Sequence, residues 1–240
     1  MMADWLTLYG LDLFAAFWLL GCWAGYAAFA KRQARTSFCI SSVLHFYRKQ
    51  WMFSVLRREN RITDASLLSS LERNASFLAS TAMLIIAGLV TTLASVDTVH
   101  ATLMTVPFSR LGQTPLQLQF KVMLLLLIYI YAFFTFTWSM RQYGFCAIML
   151  GAAPLYPQPT PEAEQFARHA SKVIDEAGLS YNYGLRAFYF SLSVLAWVFS
   201  LWLFVLAVAV VVAVLYEREF KSKTLRAMIQ ASALRETSLD

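Results

Sequence analysis

Residues 185–216 read LRAFYFSLSVLAWVFSLWLFVLAVAVVVAVLY, a run of thirty-two with one charge, Arg186. The hydrocarbon core of a bilayer is roughly 30 Å thick and takes about 20 apolar residues of helix, because in lipid every backbone N–H and C=O must find its partner inside the segment. A run this long and this apolar predicts a membrane-spanning helix, not an element of a soluble core. Its length also looks too short for two passages, so one crossing is expected here.

Three runs of the same kind lie upstream, at residues 5–30, 75–96 and 118–140, the last in a helix that should begin near Pro115, giving a span of about 115–140. The fold class that follows is all-α integral membrane: a single membrane domain of four transmembrane helices plus two short amphipathic or interfacial helices. The first run ends in Ala28-Phe29-Ala30, which has the look of a cleavage site. Its leader carries Asp4 and no base, and its apolar stretch exceeds a signal-peptide core, so a retained helix is expected.

Composition agrees. The chain is 59% hydrophobic and 14% charged, where soluble domains carry about 25% charged residues. Nineteen Phe, eleven Tyr and seven Trp supply rings suited to lipid and its interfaces. The formal charge of +6 is not a nucleic-acid signal, because it is localised. Nine bases (Lys31, Arg32, Arg35, Arg48, Lys49, Arg57, Arg58, Arg61, Arg73) and three acids (Glu59, Asp64, Glu72) fall between residues 31 and 73 and account for all +6. A basic block directly after an apolar run holds a loop on the cytoplasmic side and attracts anionic lipid headgroups. The N-terminus is then outside the plasma (bacterial inner) membrane, and loops 31–74 and 141–184 are cytoplasmic. Four crossings would put the charged tail 217–240 outside. That conflicts with Arg218, Lys221, Lys223, Arg226 and Arg235, which resist translocation.

Helix starts are legible. In Thr114-Pro115-Leu116-Gln117 the Thr hydroxyl and the Gln side chain serve orphan N–H groups while Pro115 needs no partner. Thr160-Pro161-Glu162 repeats the pattern, and from it Ala163, Phe166, Ala167, Ala170, Ile174 and Ala177 recur at helical spacing, with Gly178 as the expected stop. A second amphipathic helix is predicted over residues 40–56, where Ile40, Val43, Leu44, Tyr47, Trp51 and Val55 form one stripe. A basic, Trp-bearing helix of this kind lies in the headgroup plane. Thr63 or Asp64 should cap the helix that follows it.

The motifs Arg58-Glu59-Asn60-Arg61-Ile62-Thr63-Asp64, Phe77-Leu78-Ala79-Ser80-Thr81, Arg141-Gln142-Tyr143-Gly144-Phe145, Gly151-Ala152-Ala153-Pro154, residues 182–190, Ala196-Trp197 and Tyr216-Glu217-Arg218-Glu219-Phe220 stand out along the chain. Together they resemble a bacterial and plant membrane family known only as a domain of unknown function, of the DUF599 type. The resemblance spans nearly the whole chain and implies a multi-pass membrane protein without an assigned activity.

Three sets of residues are candidates for function. Asn74, Thr81, Gly88 and Ser95 repeat every seven residues in the second run, with Thr92 beside them, so they share a helix face. That face either packs closely against a helix or lines a watered path. Asp12 and Lys121 are charges inside apolar runs. They could pair, or each could reach its nearest interface. Arg58, Glu59, Arg61, Asp64, Arg141 and Arg186 flank the inner boundary, either as a ring of ion pairs that anchors helix ends or as a phosphate site. Gly21 and Gly25 mark a helix contact.

No HExxH, GxSxG or Walker loop is present, so neither catalysis nor a cofactor is expected. Cys22, Cys39, Cys146, His45, His100 and His169 are too scattered for a metal site. The leading expectation is a homo-oligomeric channel or transporter of small solutes or ions, because four spans leave little room for an enclosed path. The alternative is a membrane scaffold or regulator whose basic inner loop binds anionic lipid or a partner. Both readings involve the lipid bilayer and neither involves nucleic acid.

Overall fold

The Thr-Pro helix starts are built as their chemistry dictates. In the computed structural model, which describes residues 2–34, 37–105, 114–155, 158 and 160–237, Gln117 N–H donates to Thr114 Oγ1 at 3.2 Å while Thr114 N–H donates to Gln117 Oε1 at 2.9 Å. Ala163 N–H donates to Thr160 Oγ1 at 3.2 Å. The Glu162 amide and the Thr160 hydroxyl hold the Glu162 carboxyl below its ordinary range.

In chain order the helices are α1 (Met2–Gln33), α2 (Ile40–Leu56), α3 (Ile62–Ala94), α4 (Val96–Met104), α5 (Pro115–Ala152), α6 (Pro161–Phe199), α7 (Leu201–Tyr216), a π-helical turn at Glu217–Lys221, and α8 (Lys223–Thr237). Among the described residues there is no strand. Four helices are long and apolar enough to cross a membrane, namely Gly10–Gln33, Ile62–Ala94, Pro115–Ala152 and Leu201–Ala231. The integral-membrane class therefore stands. Residues 106–113 of the expected outer loop and the side chains of Arg235, Glu236 and Asp240 lie outside the described set.

Two local expectations are corrected. The start of α3 is served by Asn60, whose Oδ1 accepts from Ile62 N–H at 3.0 Å, so neither Thr63 nor Asp64 is the cap. Gly178 does not end the amphipathic helix, which continues to Phe199. The missing side chain makes room instead, since a Cβ at Gly178 would come within 2.5 Å of Arg48 Nη2. Gly184 has the same use, because a Cβ there would meet the fully buried Phe136 ring at 2.6 Å.

The chain divides into two compact units. The first comprises Met1–Arg32, Thr81–Ala132 and Leu185–Leu215. Its centre is aromatic: Trp23 stacks on Phe190 at 5.6 Å and meets Tyr131 edge-on at 5.5 Å. Leu19, Val194, Phe204 and Val208 are wholly buried there. The second comprises Gln33–Ser80, Phe133–Gly184 and Tyr216–Asp240. Here the alanine face of α6 (Ala163, Ala167, Ala170, Ala177) joins Met52, Val55, Leu68, Tyr143 and Leu150 in one core. Ser139 Oγ, which is buried, donates to the Ala177 carbonyl at 2.7 Å.

Within the second unit, α2 meets two parts of the chain that are distant in sequence. Arg48 Nη1 lies 3.0 Å from Asp175 Oδ1 of α6, Ser41 N–H donates to Glu219 Oε1 at 3.2 Å, and Tyr47 Oη donates to the Met228 carbonyl of α8 at 3.0 Å. A straight helix from Asp175 to Glu219 would be roughly 65 Å long, whereas the stretch of α2 that holds both ends spans about 10 Å. The chain therefore folds back between them, and Ser200 is the non-helical position on the way. Ser200 N–H closes α6 on the Ala196 carbonyl at 3.1 Å, and Phe204 N–H opens α7 on the Ser200 carbonyl at 3.0 Å. So the run 185–216, expected as one crossing, is the turn and both arms of a helical hairpin. Each arm continues past the run, α6 back to Pro161 and α7 on through the π-turn into α8, and of the two only α7 with its continuation is long and apolar enough to be a candidate span.

Candidate functional site

In the first unit, two charges meet the turn of the hairpin. The carbonyls that end a helix have no intrahelical partner, and Lys121 Nζ donates to one of them, Trp197 O, at 3.2 Å. The same ammonium sits 5.3 Å from the Trp197 ring centroid and 4.0 Å from Asp12 Oδ1. Both side chains are buried, at 6% and 11% exposure, and Asp12 Oδ2 has no hydrogen-bond partner. A cation at the C-terminus of a helix is favourable for the macrodipole as well as for the carbonyl. Arg186, which sequence grouped with the inner boundary charges, also belongs to this unit and lies over the Tyr26 ring at 5.3 Å.

In the second unit, the expected ring of ion pairs does not form among the described residues. Arg58 Nη1 bonds Asp64 Oδ1 at 2.7 Å, and Trp51 Nε1 donates to the same oxygen at 2.7 Å. Asp64 is fully buried, and its position in the first turn of α3 sets it against the positive end of that helix. Among the described residues Arg61 meets no carboxylate. Its guanidinium donates to the carbonyls of Leu150 at 3.2 Å, Pro154 at 2.9 Å and Ala153, closing the C-terminal end of α5. Glu59 is exposed, and Arg141 lies over the Phe145 ring at 5.7 Å.

Sequence reasoning did not group Arg48, Trp51 and Asp175 with this cluster. Asp175 receives both Arg48 and His45, the latter through Nδ1. Along α2 a cleft of about 350 Å³ is lined by Tyr47, Arg48, Trp51 and Arg58, with Leu44, Gln50 and Ser54. Each arginine is fixed by one carboxylate and keeps further N–H donors. The signal that could have found the cleft was the spacing Tyr47, Trp51, Arg58 beside Arg48, which puts rings and guanidiniums within one another's reach along α2.

On α3, Asn74, Gly88 and Ser95 are exposed and Thr81 and Thr92 half-buried. The hydroxyls at the end of α3 are served by its own backbone: Thr91 donates to Ala87 O at 3.0 Å, Thr92 to Gly88 O at 2.9 Å and Ser95 to Thr91 O at 2.9 Å. Among the described residues no three His, Cys, Asp or Glu side chains gather as a metal would need.

A family model described as "Protein of unknown function, DUF599" matches residues 14–224. The chain belongs to the DUF599 family. No curated protein and no solved structure matches it. The DUF599 match takes in Lys121, the Arg58–Asp64 pair and the α2 cleft, and begins two residues after Asp12.

Proposed function

We propose that this DUF599 protein is a membrane scaffold that binds anionic lipid headgroups at the cytoplasmic face of the plasma (bacterial inner) membrane, with residues 31–74 inside. The observation that carries the reading is the α2 cleft, in which two fixed guanidiniums and two interface-type rings share one wall. Arginine forks match phosphate oxygens geometrically, and a basic Trp-bearing helix beside a span sits at headgroup depth. In native mass spectrometry from mixed micelles, the protein should retain phosphatidylglycerol over phosphatidylcholine, less so as salt rises. Arg58→Lys keeps the charge facing Asp64 but loses the fork, and should weaken that preference about tenfold. Equal retention of the two lipids by the wild-type chain would refute the reading.

A second reading rests on α3. Asn74, Gly88 and Ser95 lie exposed along α3 and at its end, and Gly88 stands in the apolar stretch of that helix, where a small residue suits close helix contact. A second copy packed on this face would cover them, and copies around an axis would supply the path expected of a channel. In nanodiscs the assembly mass should then exceed one chain of 27.2 kDa and fall to it in Asn74→Leu. A wild-type protein that stays monomeric at every lipid ratio rules the shared path out.

A further inference from the structure

Where the apolar parts of α3 and α5 give way to charge, the second unit carries a groove of about 710 Å³. Phe134, Trp138, Arg141, Phe145 and Ile148 line it from one face of α5, at the spacing that stacks side chains along a helix. Glu72 lines it from α3. Gly144 lies in the wall, and a Cβ added there would meet nothing within 4 Å, so the groove is open at that point.

The groove is amphipathic in a specific way. Among the described residues neither Glu72 nor Arg141 is in an ion pair, and the one partner of Arg141 is the Phe145 ring beneath its guanidinium. One free acid and one free base therefore face the same space, beside an exposed indole and an exposed phenyl at Trp138 and Phe134. Tryptophan rings concentrate at the depth where lipid headgroups meet acyl chains. A ligand that satisfies all of these groups has a phosphate, a hydrogen-bonding ammonium a few bonds away from it, and a hydrocarbon chain.

We infer that this groove binds a phosphoethanolamine lipid, with the phosphate on Arg141, the primary ammonium on Glu72 and an acyl chain along Phe134 and Trp138. The alternatives meet physical obstacles. Phosphatidylglycerol brings Arg141 a phosphate but offers the Glu72 carboxylate no cation. Phosphatidylcholine has a quaternary ammonium with no N–H, so Glu72 would lose its water and gain no hydrogen bond. The primary ammonium alone forms a charge-assisted bond to the carboxylate. This site and headgroup are distinct from the basic α2 cleft, which has no free acid among its lining residues.

The test uses the full chain in micelles with equal phosphatidylethanolamine, phosphatidylcholine and phosphatidylglycerol, and counts bound lipid by native mass spectrometry. Phosphatidylethanolamine should be retained over phosphatidylcholine, and Glu72→Gln should cut that preference about tenfold. Glu72 lies in a wide groove on a helix face, so folding does not depend on it. Gly144→Ile narrows the groove and should cut the retained phosphatidylethanolamine, whereas Gly144→Ala should spare it. Arg58→Lys should change phosphatidylglycerol retention alone, so the two lipid readings can fail separately. No preference for phosphatidylethanolamine over phosphatidylcholine, or a preference that survives both Glu72→Gln and Gly144→Ile, overturns the assignment.

Discussion

Lys121→Met should destabilise the protein by about 3–5 kcal/mol, the range for removing one member of a buried charge pair. Two losses combine in that variant. The Trp197 carbonyl loses its donor at 3.2 Å, and Asp12, already short of a partner on Oδ2, is left as a buried carboxylate with its countercharge gone. Leaving a charge unpaired in a low-dielectric site is the larger loss, so changing both residues should be milder than the sum of the two singles. In the double variant Asp12→Asn, Lys121→Met no charge is stranded, and only the helix-end carbonyl remains unmet. Reversible unfolding of the two singles and the double in mixed micelles gives the coupling. A double variant whose loss equals the sum of the singles would show that the 4.0 Å approach contributes nothing. A Lys121→Met protein as stable as the wild type would show that both residues are hydrated.

What could be read in advance was set by local chemistry and by the solvent. Thr114 and Thr160 act within three residues of themselves, so their caps follow from sequence. The membrane class follows from runs that no aqueous fold can cover. Tertiary partners were harder to see, because a charge search looks for opposite charges. Arg61 instead closes three backbone carbonyls at the end of α5, and every residue carries such an acceptor. Lys121 does the same for α6, which is why the turn at Ser200 has no Gly or Pro to betray it: the unmet carbonyl is served from another helix. Gly178 and Gly184 were legible as glycines but not as space, since the side chains that use the gaps, Arg48 and Phe136, are 130 and 48 residues away. Asp12 and Lys121 were readable as a candidate pair only because both lie a few turns from the same expected interface.

A reporter fused to the C-terminus should register as cytoplasmic, against the outcome that four crossings would require. Two facts set the expectation, and both concern α2. It carries Arg48 and Lys49 of the basic block, which the positive-inside rule expects on the cytoplasmic side, and within its own unit it bonds Glu219 and Met228 of the tail. Segments in direct contact share a side of the membrane, so the chain must cross an even number of times between α2 and the tail. The helices α3 and α5 account for two passages. The expectation then requires the arms of α6 and α7 to make two more, although α7 with its continuation is a candidate span and α6 is not among the four. Arg218, Lys221, Lys223 and Arg226 then stay on the side that positive charge favours, and the conflict seen in the sequence disappears. Green fluorescent protein at the C-terminus should fluoresce, and alkaline phosphatase at the same place should be inactive. Phosphatase inserted at Ser200 should be active, the outcome that a crossing by each arm of the hairpin requires. Active phosphatase at the C-terminus would mean that the hairpin does not cross, and that the tail reaches α2 in some arrangement other than the one that places both in the cytoplasm.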